Sequence, residues 1–499
     1  MKKRPFFLSL ILGLTLTAGA SAAAADTTSN GSNSTLASFE QDSLTKKDGS
    51  YWVWGALQSV PTQIPELSGV SASFGNGLVQ KQDGSVWLIQ YNYPNPAITV
   101  KPVQGVSDIK GTFDYGRTLA WNAEGKVFTS TDASDHWDLT SFSAVTGIDN
   151  VTDIAGYYES NDKNGDARFI FLKKDGTVWK DTNDLANFSQ VQNLSNITQI
   201  AENVALKKDG TVWTWPERFS GKGDLPSTLT ATQLKPLSNI KSIKHNLNSS
   251  LAIDSQSRLW FWGSTITGYS DGTLYTDNPN PVLLTGVKNV KDAFVVERTL
   301  VVLTGDNKVY TTSIERASMP ANAEFKLLVS DISTVKNGPR HIIMQMTDGT
   351  LLGWGVNKNA ELGYGDYEFE HTTPVPVQKP ISVSLNGDNV AMTNGVITRG
   401  GQNFVPLRSV FEKLGAEITF DGTSKLATVS RKGEGGAPVT ITVSATTGQT
   451  MLNNAAVTLD NKPFNVNGTL YLPLRFISEK LGATVEWQPK EERIAITLK

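Results

Sequence analysis

Residues able to do chemistry are sparse and scattered in this 499-residue chain. There are four histidines, His136, His245, His341 and His371, and no cysteine. Without cysteine there is no disulfide, no thiol nucleophile, no Cys–metal site and no lipidated Cys anchor. The chain has neither a Gly-x-Ser-x-Gly elbow nor a Ser-x-x-Lys with its partners, and it has no phosphate-cradling loop. Asp162-Lys163-Asn164-Gly165-Asp166 alternates oxygen donors around a glycine, as a calcium loop does. It lacks the later bidentate Glu such a loop needs, and reads more simply as a turn in an inserted loop. Carboxylate pairs for glycoside hydrolysis are defined by separation in space, so sequence spacing assigns none. His245 and His341 stand at equivalent places in a repeated unit, and each reads as a His bonding inside its own unit. The expectation is no catalytic residue, no metal and no cofactor.

Binding chemistry is better represented. Tyr91, Tyr93, Trp137, Phe219, Tyr269, Tyr275, Tyr364 and Tyr367 fall in connections that follow the second strand of successive hairpins. Exposed Tyr and Trp give large contact area at low entropy cost, and anchor protein and sugar interfaces. Of these, Tyr91, Tyr93, Trp137, Tyr269, Tyr275, Tyr364 and Tyr367 are the candidate binding face. Tyr115, Tyr157 and Tyr158 are expected on the opposite face.

The elements that would position them come from a repeat. An apolar-apolar-Lys-x-Asp-Gly-x-Val-Trp phrase recurs between Leu44 and Gly355, most cleanly at Ala205–Trp213 and Phe171–Trp179. Its turn positions are Gly49, Gly84, Gly125, Gly176, Gly210, Ser257, Asn307 and Gly349, which are 34 to 51 residues apart. Asp-Gly between two β-rich runs predicts a type I′ hairpin, with Ser257 the poorest fit. A second phrase, as in Leu194-Ser195-Asn196-Ile197 and Leu237-Ser238-Asn239-Ile240, precedes a short alternating run. Each unit therefore offers about four short strands, the content of a propeller blade. The hairpin tryptophans read as packing between blades.

The unit resembles the regulator of chromosome condensation repeat. Met346-Thr347-Asp348-Gly349 through Trp354-Gly355, then Glu361-Leu362-Gly363-Tyr364-Gly365, carries the likeness best, with Glu361 where that family has Gln. The family implies seven blades and the hairpin count implies eight, with Thr373–Val377 available to close the ring against the N-terminal segment. A bacterial branch of that family comprises secreted β-lactamase inhibitors, so the resemblance includes protein inhibition among its implications.

The ends and the charge bound the setting. Lys2, Lys3 and Arg4, an apolar run from Phe6 to Leu16, and Ala20-Ser21-Ala22 make a secretory signal peptide over residues 1–25, too short to span a membrane. Residues 26–37 read as a polar linker. A net charge of −3 with 19% charged residues argues against nucleic acid as partner. An exported chain without cysteine fits a Gram-positive bacterium, secreted or held at its surface or wall, with no membrane span after cleavage.

Beyond Lys379 a second duplication appears at an offset of 67: Phe404–Phe420 repeats as Tyr471–Trp487. Leu407, Val410, Phe411 and Leu414 make one helical face, and Gly415 and Gly482 read as helix ends. Two strand–helix–strand units sharing one small sheet are expected. The segment resembles the copper amine oxidase N-terminal (stalk) domain, which implies an adaptor without copper. Arg408 and Arg475 are expected to bond a neighbouring strand or loop. The fold class is thus mainly β: a seven- or eight-bladed propeller over 38–378, followed by a small duplicated α+β domain over 381–499. The leading expectation is a non-catalytic binding protein whose propeller face recognises a protein or cell-envelope glycan. The rivals are a propeller lyase or glycosidase with clustered carboxylates or His in one funnel, and a purely structural envelope protein.

Overall fold

The computed structural model describes residues 35–92, 97–131, 138–182, 184–246, 248–268, 274–432 and 438–498. The expected signal peptide and most of the linker lie outside the described residues. From 36 to 376 the chain forms eight four-stranded antiparallel sheets in strict chain order, an eight-bladed propeller. Within each blade the four strands, here a to d, follow one another, and the a-strands of blades 3 to 7 touch in turn around the axis. The blades span 36–68, 70–107, 109–144, 151–190, 197–233, 240–284, 290–329 and 332–376.

The recurring Asp-Gly phrase is the b–c turn, but it is not type I′. In every copy the turn residue's N–H donates three residues back, as Gly176 does to Lys173 O at 2.9 Å and Gly210 to Lys207 O at 2.9 Å. Only the turn residue has positive φ: Gly176 at 76°, Gly210 at 82°, and also Ser257 at 57° and Asn307 at 61°. This is a three-residue loop, a type I turn closed by one left-handed residue. The Asp stays in ordinary backbone because its carboxylate is engaged. Asp209 Oδ1 accepts from Thr211 N–H (2.9 Å) and the Thr211 hydroxyl (2.7 Å), and that hydroxyl accepts from Trp213 Nε1 (3.0 Å). The same relay runs Asp48–Ser50–Trp52, Asp83–Ser85–Trp87 and Asp175–Thr177–Trp179. The phrase's lysine stacks on that tryptophan, with Lys207 Nζ 3.8 Å and Lys81 Nζ 4.3 Å from the ring centre. Hydroxyl bonds first, then backbone N–H bonds, hold the Asp83, Asp175 and Asp209 carboxyls below the usual range.

The second phrase docks onto the first. Ile197 N–H donates to the turn oxygen of Gly176 in the preceding blade, and Asn196 O accepts from Lys208 in its own blade. Equivalent N–H bonds onto the preceding turn come from Gly69, Asp108, Val151, Ile240, Val290 and Ile332. Six of the seven linkers, all but that at Asp108, also accept from the turn of their own blade and so clip two consecutive b–c turns together. A Cβ on Gly210 would lie 2.9 Å from the Asn239 Cα, so glycine there answers both to φ and to close approach.

The junction of blade 8 with blade 1 is crossed by no linker. Thr373–Val377 does not close it against the N-terminal segment: Glu370–Pro376 is the d-strand of blade 8, paired with Leu351–Val356. No strand is exchanged. Side chains close the ring: Phe39, Leu44, Trp52 and Trp54 pack on Ile343, Leu351, Leu362 and Val377. Trp54 Nε1 donates to Glu361 O (2.9 Å) and His341 Nε2 to Gln41 O (3.1 Å).

The C-terminal domain has its own core around Val405, Phe411, Val429, Leu472 and Ile477. Strands Gln402–Pro406 and Thr469–Pro473 pair antiparallel, with Val405 opposite Leu472. Those two residues are equivalents at the offset of 67, so a pseudo-dyad runs between them. Helices α1 (Leu407–Phe411) and α2 (Leu474–Lys480) follow these strands. The two units share only this sheet. The strands after the helices part, Glu417–Asp421 joining a five-stranded sheet and Ala483–Gln488 a separate four-stranded one. Among the described residues, Arg408 and Arg475 bond no neighbouring strand or loop. They are exposed and pair with Glu412 (3.3 Å) and Glu479 (3.5 Å) on their own helical turns.

Replacing Gly210 by Ala tests the clip. The φ penalty alone is roughly 1–2 kcal/mol. Gly221, at φ 92° with nothing within 4 Å of a new Cβ, should lose only that on substitution by Ala. Chemical denaturation should show Gly210→Ala destabilising clearly more than Gly221→Ala. Equal losses would mean that the contact with Asn239 contributes nothing.

Candidate binding face

In a four-stranded meander, alternate connections leave at alternate ends. The b–c turns and the linkers therefore lie on one face of the ring, and the a–b turns and c–d loops on the other. Tyr115, at an a–b turn, and Tyr158, near the end of an a-strand, consequently share a face with the c–d aromatics, not the opposite one as expected. Charges confirm the grouping. Tyr115 of blade 3 is raised by burial, then by Glu202 of the blade 5 a–b turn, Glu217 of the blade 5 c–d loop, and Tyr158.

Extended hairpins build this face. Strands Val151–Ser160 with Gly165–Lys173, and Leu259–Thr267 with Leu274–Leu284, run beyond the ends of their blades. They lift Tyr158 (53% exposed), Leu274 (66%) and Tyr275 (59%) into solvent. Tyr91 ends the blade 2 c-strand, 40% exposed. Its hydroxyl end is crowded, and burial, then Asp42 and Tyr51, push its pKa up. Phe369 is also exposed. Leu274 and Phe369 were not singled out from the sequence, although each sits in a c–d segment beside a chosen Tyr. Tyr93, Trp137 and Tyr269 lie outside the described residues, as does His136.

The remaining two candidates belong elsewhere. The Tyr367 hydroxyl donates to Ala56 O (3.2 Å), and its ring packs where the domains meet, against the cluster of Val60, Ile397, Phe404, Val466 and Tyr471. Tyr364 meets His371 edge-on at 5.4 Å. Tyr157 is fully buried, edge-on to Trp215, with its hydroxyl donating to Glu159 (3.0 Å). Glu159 anchors a charge cluster that the sequence pattern does not reveal. Buried Lys180 donates to both Glu159 oxygens (2.7 and 2.9 Å) and to Pro226 O (2.8 Å), and Arg168 Nε donates to Glu159 (3.2 Å). The cluster fixes the base of the loop that carries Glu217.

Near the axis, polar pairs join neighbouring blades. His245 Nε2 meets Glu202 at 2.8 Å, Arg340 meets Glu297 at 2.6 Å, and Lys336 meets Glu40 at 2.9 Å. His245 Nδ1 lies 3.0 Å from Ser250 Oγ. His245 is thus bonded both within its blade and to the preceding one. His341 is engaged separately at the ring closure, where burial lowers its pKa. Burial, then Glu202, pushes Glu217 up to about 7, and burial, then Glu40, pushes Asp42 up to about 6. The Asp162–Asp166 turn is a clamp: Asp162 Oδ2 accepts from Gly221 N–H (2.7 Å) and Asn161 Nδ2 donates to Gly223 O (2.7 Å). Among the described residues no group of three or more His, Asp or Glu has the geometry to hold a metal, and no helix is long and apolar enough to cross a membrane.

Beside the ring, the pseudo-dyad pairing of Val405 with Leu472 defines the second module. Residues 384–496 match the copper amine oxidase N-terminal domain family. This C-terminal domain docks on the rim of blades 8 and 1. Ser59 N–H donates to Asn394 Oδ1 (3.1 Å), and nearly buried Lys46 reaches Glu492 (3.2 Å) and Glu491 O (3.1 Å). No curated protein sequence matches the chain. Among solved structures, human WBSCR16 aligns at 16% identity, covering 66% of this chain and 94% of that one, with a TM-score of 0.42. Prp20p from Saccharomyces cerevisiae aligns at 16%, covering 68% and 88%, with a TM-score of 0.41. A computationally designed protein, Ika8, aligns at 16%, covering 64% and 95%, with a TM-score of 0.37. The propeller is established by its strand order, not by these likenesses.

Glu217 carries a pH signature. Its folded pKa near 7 stands above the ordinary 4.5. The folded state therefore holds the proton longer, and stability is full below pH 4.5 and lost as pH rises towards 7. The unfolding free energy of the native protein should fall relative to that of Glu217→Gln across that window, by about 3 kcal/mol, as read by chemical denaturation. Parallel pH profiles would show that Glu217 titrates normally.

Proposed function

We propose that this is an exported, non-catalytic recognition protein. The open face of its propeller engages a protein surface or a cell-envelope glycan, and its C-terminal domain is an adaptor or spacer. The observation that carries this reading is the set of solvent-exposed anchors on one face: Tyr91, Tyr158, Leu274 and Tyr275. Rigid hairpins present them, so little ordering entropy opposes binding. The N-terminal Lys2-Lys3-Arg4 and Phe6–Leu16 pattern supports export, and the absence of cysteine supports a Gram-positive cell surface or surroundings as the destination.

The cluster of Glu202, Glu217 and His245 gives an enzyme reading its one specific support. A lyase or glycosidase would use a carboxyl held near neutrality, as Glu217 is. His245 lies between Glu202 and the Ser250 hydroxyl. The binding reading is favoured because Ser250 is itself buried, so that hydroxyl is not presented to a substrate.

The test uses the full chain as bait against envelope extract and purified peptidoglycan of the producing organism. It is compared with a variant carrying Tyr91→Ser, Tyr158→Ser and Tyr275→Ser. Retention of a partner should fall by about tenfold or more in the variant, as expected for loss of aromatic anchors. Undiminished retention, or none by either protein, would remove the face from the reading. Turnover of a glycan substrate that Glu217→Gln abolishes would replace it with the enzyme.

A further inference from the structure

A cleft of about 1550 Å³ lies between the propeller rim and the C-terminal domain. It opens beside the one junction of the ring that no linker crosses. Thr35, Leu36 and the Asp348–Gly349 turn line one wall, and α2 with strand Ala483–Gln488 lines the other. It is larger than the roughly 300–1,000 Å³ of a site for one small molecule, and an interdomain position is a common one for ligands.

The lining chemistry narrows the occupant. The charged groups are largely paired among themselves: Lys46 with Glu492, Arg475 with Glu479, and Asp348 with the N–H and hydroxyl of Thr350. Lys379 and Asp460 add one charge of each sign. Three cations face four anions in the lining, so no excess of positive charge selects an anion. What remains is neutral and planar. Trp487 stays 38% exposed within the cleft, with Phe476 also on its wall. Gln402, Asn403 and Thr458 supply amide and hydroxyl groups. The Thr398 hydroxyl donates to Asn403 Oδ1 (2.8 Å), which fixes that amide with its NH2 as the end left to donate. An aromatic platform flanked by neutral donors and acceptors matches a sugar ring, whose apolar face stacks while its hydroxyls hydrogen-bond. We propose that the cleft between the propeller and the C-terminal domain binds a neutral oligosaccharide, with Trp487 as the stacking platform and Gln402 and Asn403 as hydrogen-bonding partners.

The pseudo-dyad supplies a control within the molecule. Phe420 is the equivalent of Trp487, is 47% exposed, and lies outside the cleft. The proposal is also independent of the propeller's open face, on which none of its residues lies.

The experiment titrates the full chain with neutral hexasaccharides of N-acetylglucosamine, glucose and mannose, followed by calorimetry and tryptophan fluorescence. At least one should bind saturably at one site per chain. Trp487→Ala should weaken it by about tenfold or more, and Trp487→Phe should largely restore it. Phe420→Ala and the triple tyrosine variant of the open face should leave it unchanged. The proposal is overturned if none of the three sugars binds at millimolar concentration, or if Trp487→Ala leaves affinity unaltered. It is equally overturned if a polyglycerol phosphate binds in their place and the loss tracks Arg475→Ala.

Discussion

The propeller depends on one repeated contact: a linker residue seated on the turn glycine of the blade before it. The two recurring phrases of the sequence are the two halves of that contact. In one half, Asp, Ser or Thr, and Trp fix the turn through consecutive hydrogen bonds, and Lys covers the ring. In the other, a linker residue such as Asn196 or Asn239 takes positive φ and lies against the glycine; its carbonyl accepts from the turn that follows, and the N–H of the next residue donates to the turn before. The angle between blades is set there by backbone groups, which tolerate substitution of the side chains around them. Copies lacking Trp or Asp-Gly, such as that at Asn307, still form the blade because the backbone bonds persist.

At the eighth junction this contact gives way to another solution. Bulky side chains, Trp52 and Trp54 foremost, fill the space, and the C-terminal domain packs across the outside. Blade 1 offers Lys46, Ser59 and Val60 to that domain, and blade 8 offers Tyr367 and Gln378. A duplicated domain with its own core is thereby held in a fixed place beside the ring. One of the candidate aromatic residues, Tyr367, is spent on this junction.

What was legible in the sequence was local and periodic. The eight turn positions, the blade content and the duplication at 67 residues all repeat, so each copy supports the reading of the others. The turn type was misread because Asp-Gly suits two hairpin turns. The Ser or Thr after the glycine, present at Ser50, Ser85, Thr177, Thr211 and Thr350, was the signal that the carboxylate is occupied. The face was half legible. Which connections share a face follows from counting strands, and that count should have placed Tyr115 and Tyr158 with Tyr91 and Tyr275. The fate of Tyr367 was not legible, because its partners Val60 and Tyr471 come from opposite ends of the chain. Glu217 and His245 likewise become neighbours only through the packing of blade 6 against blade 5.

The docking of the C-terminal domain has a consequence for how the chain is made. Gln58 and Ser59 bond residues 335 positions further on. During vectorial synthesis the first blade emerges early, yet its outer strand gains its partners only when nearly the whole chain is out. Contacts of such long range are slow to form, because loop closure must precede their reward. Meanwhile Val60 and the neighbouring rim remain uncovered, an apolar surface open to wrong partners.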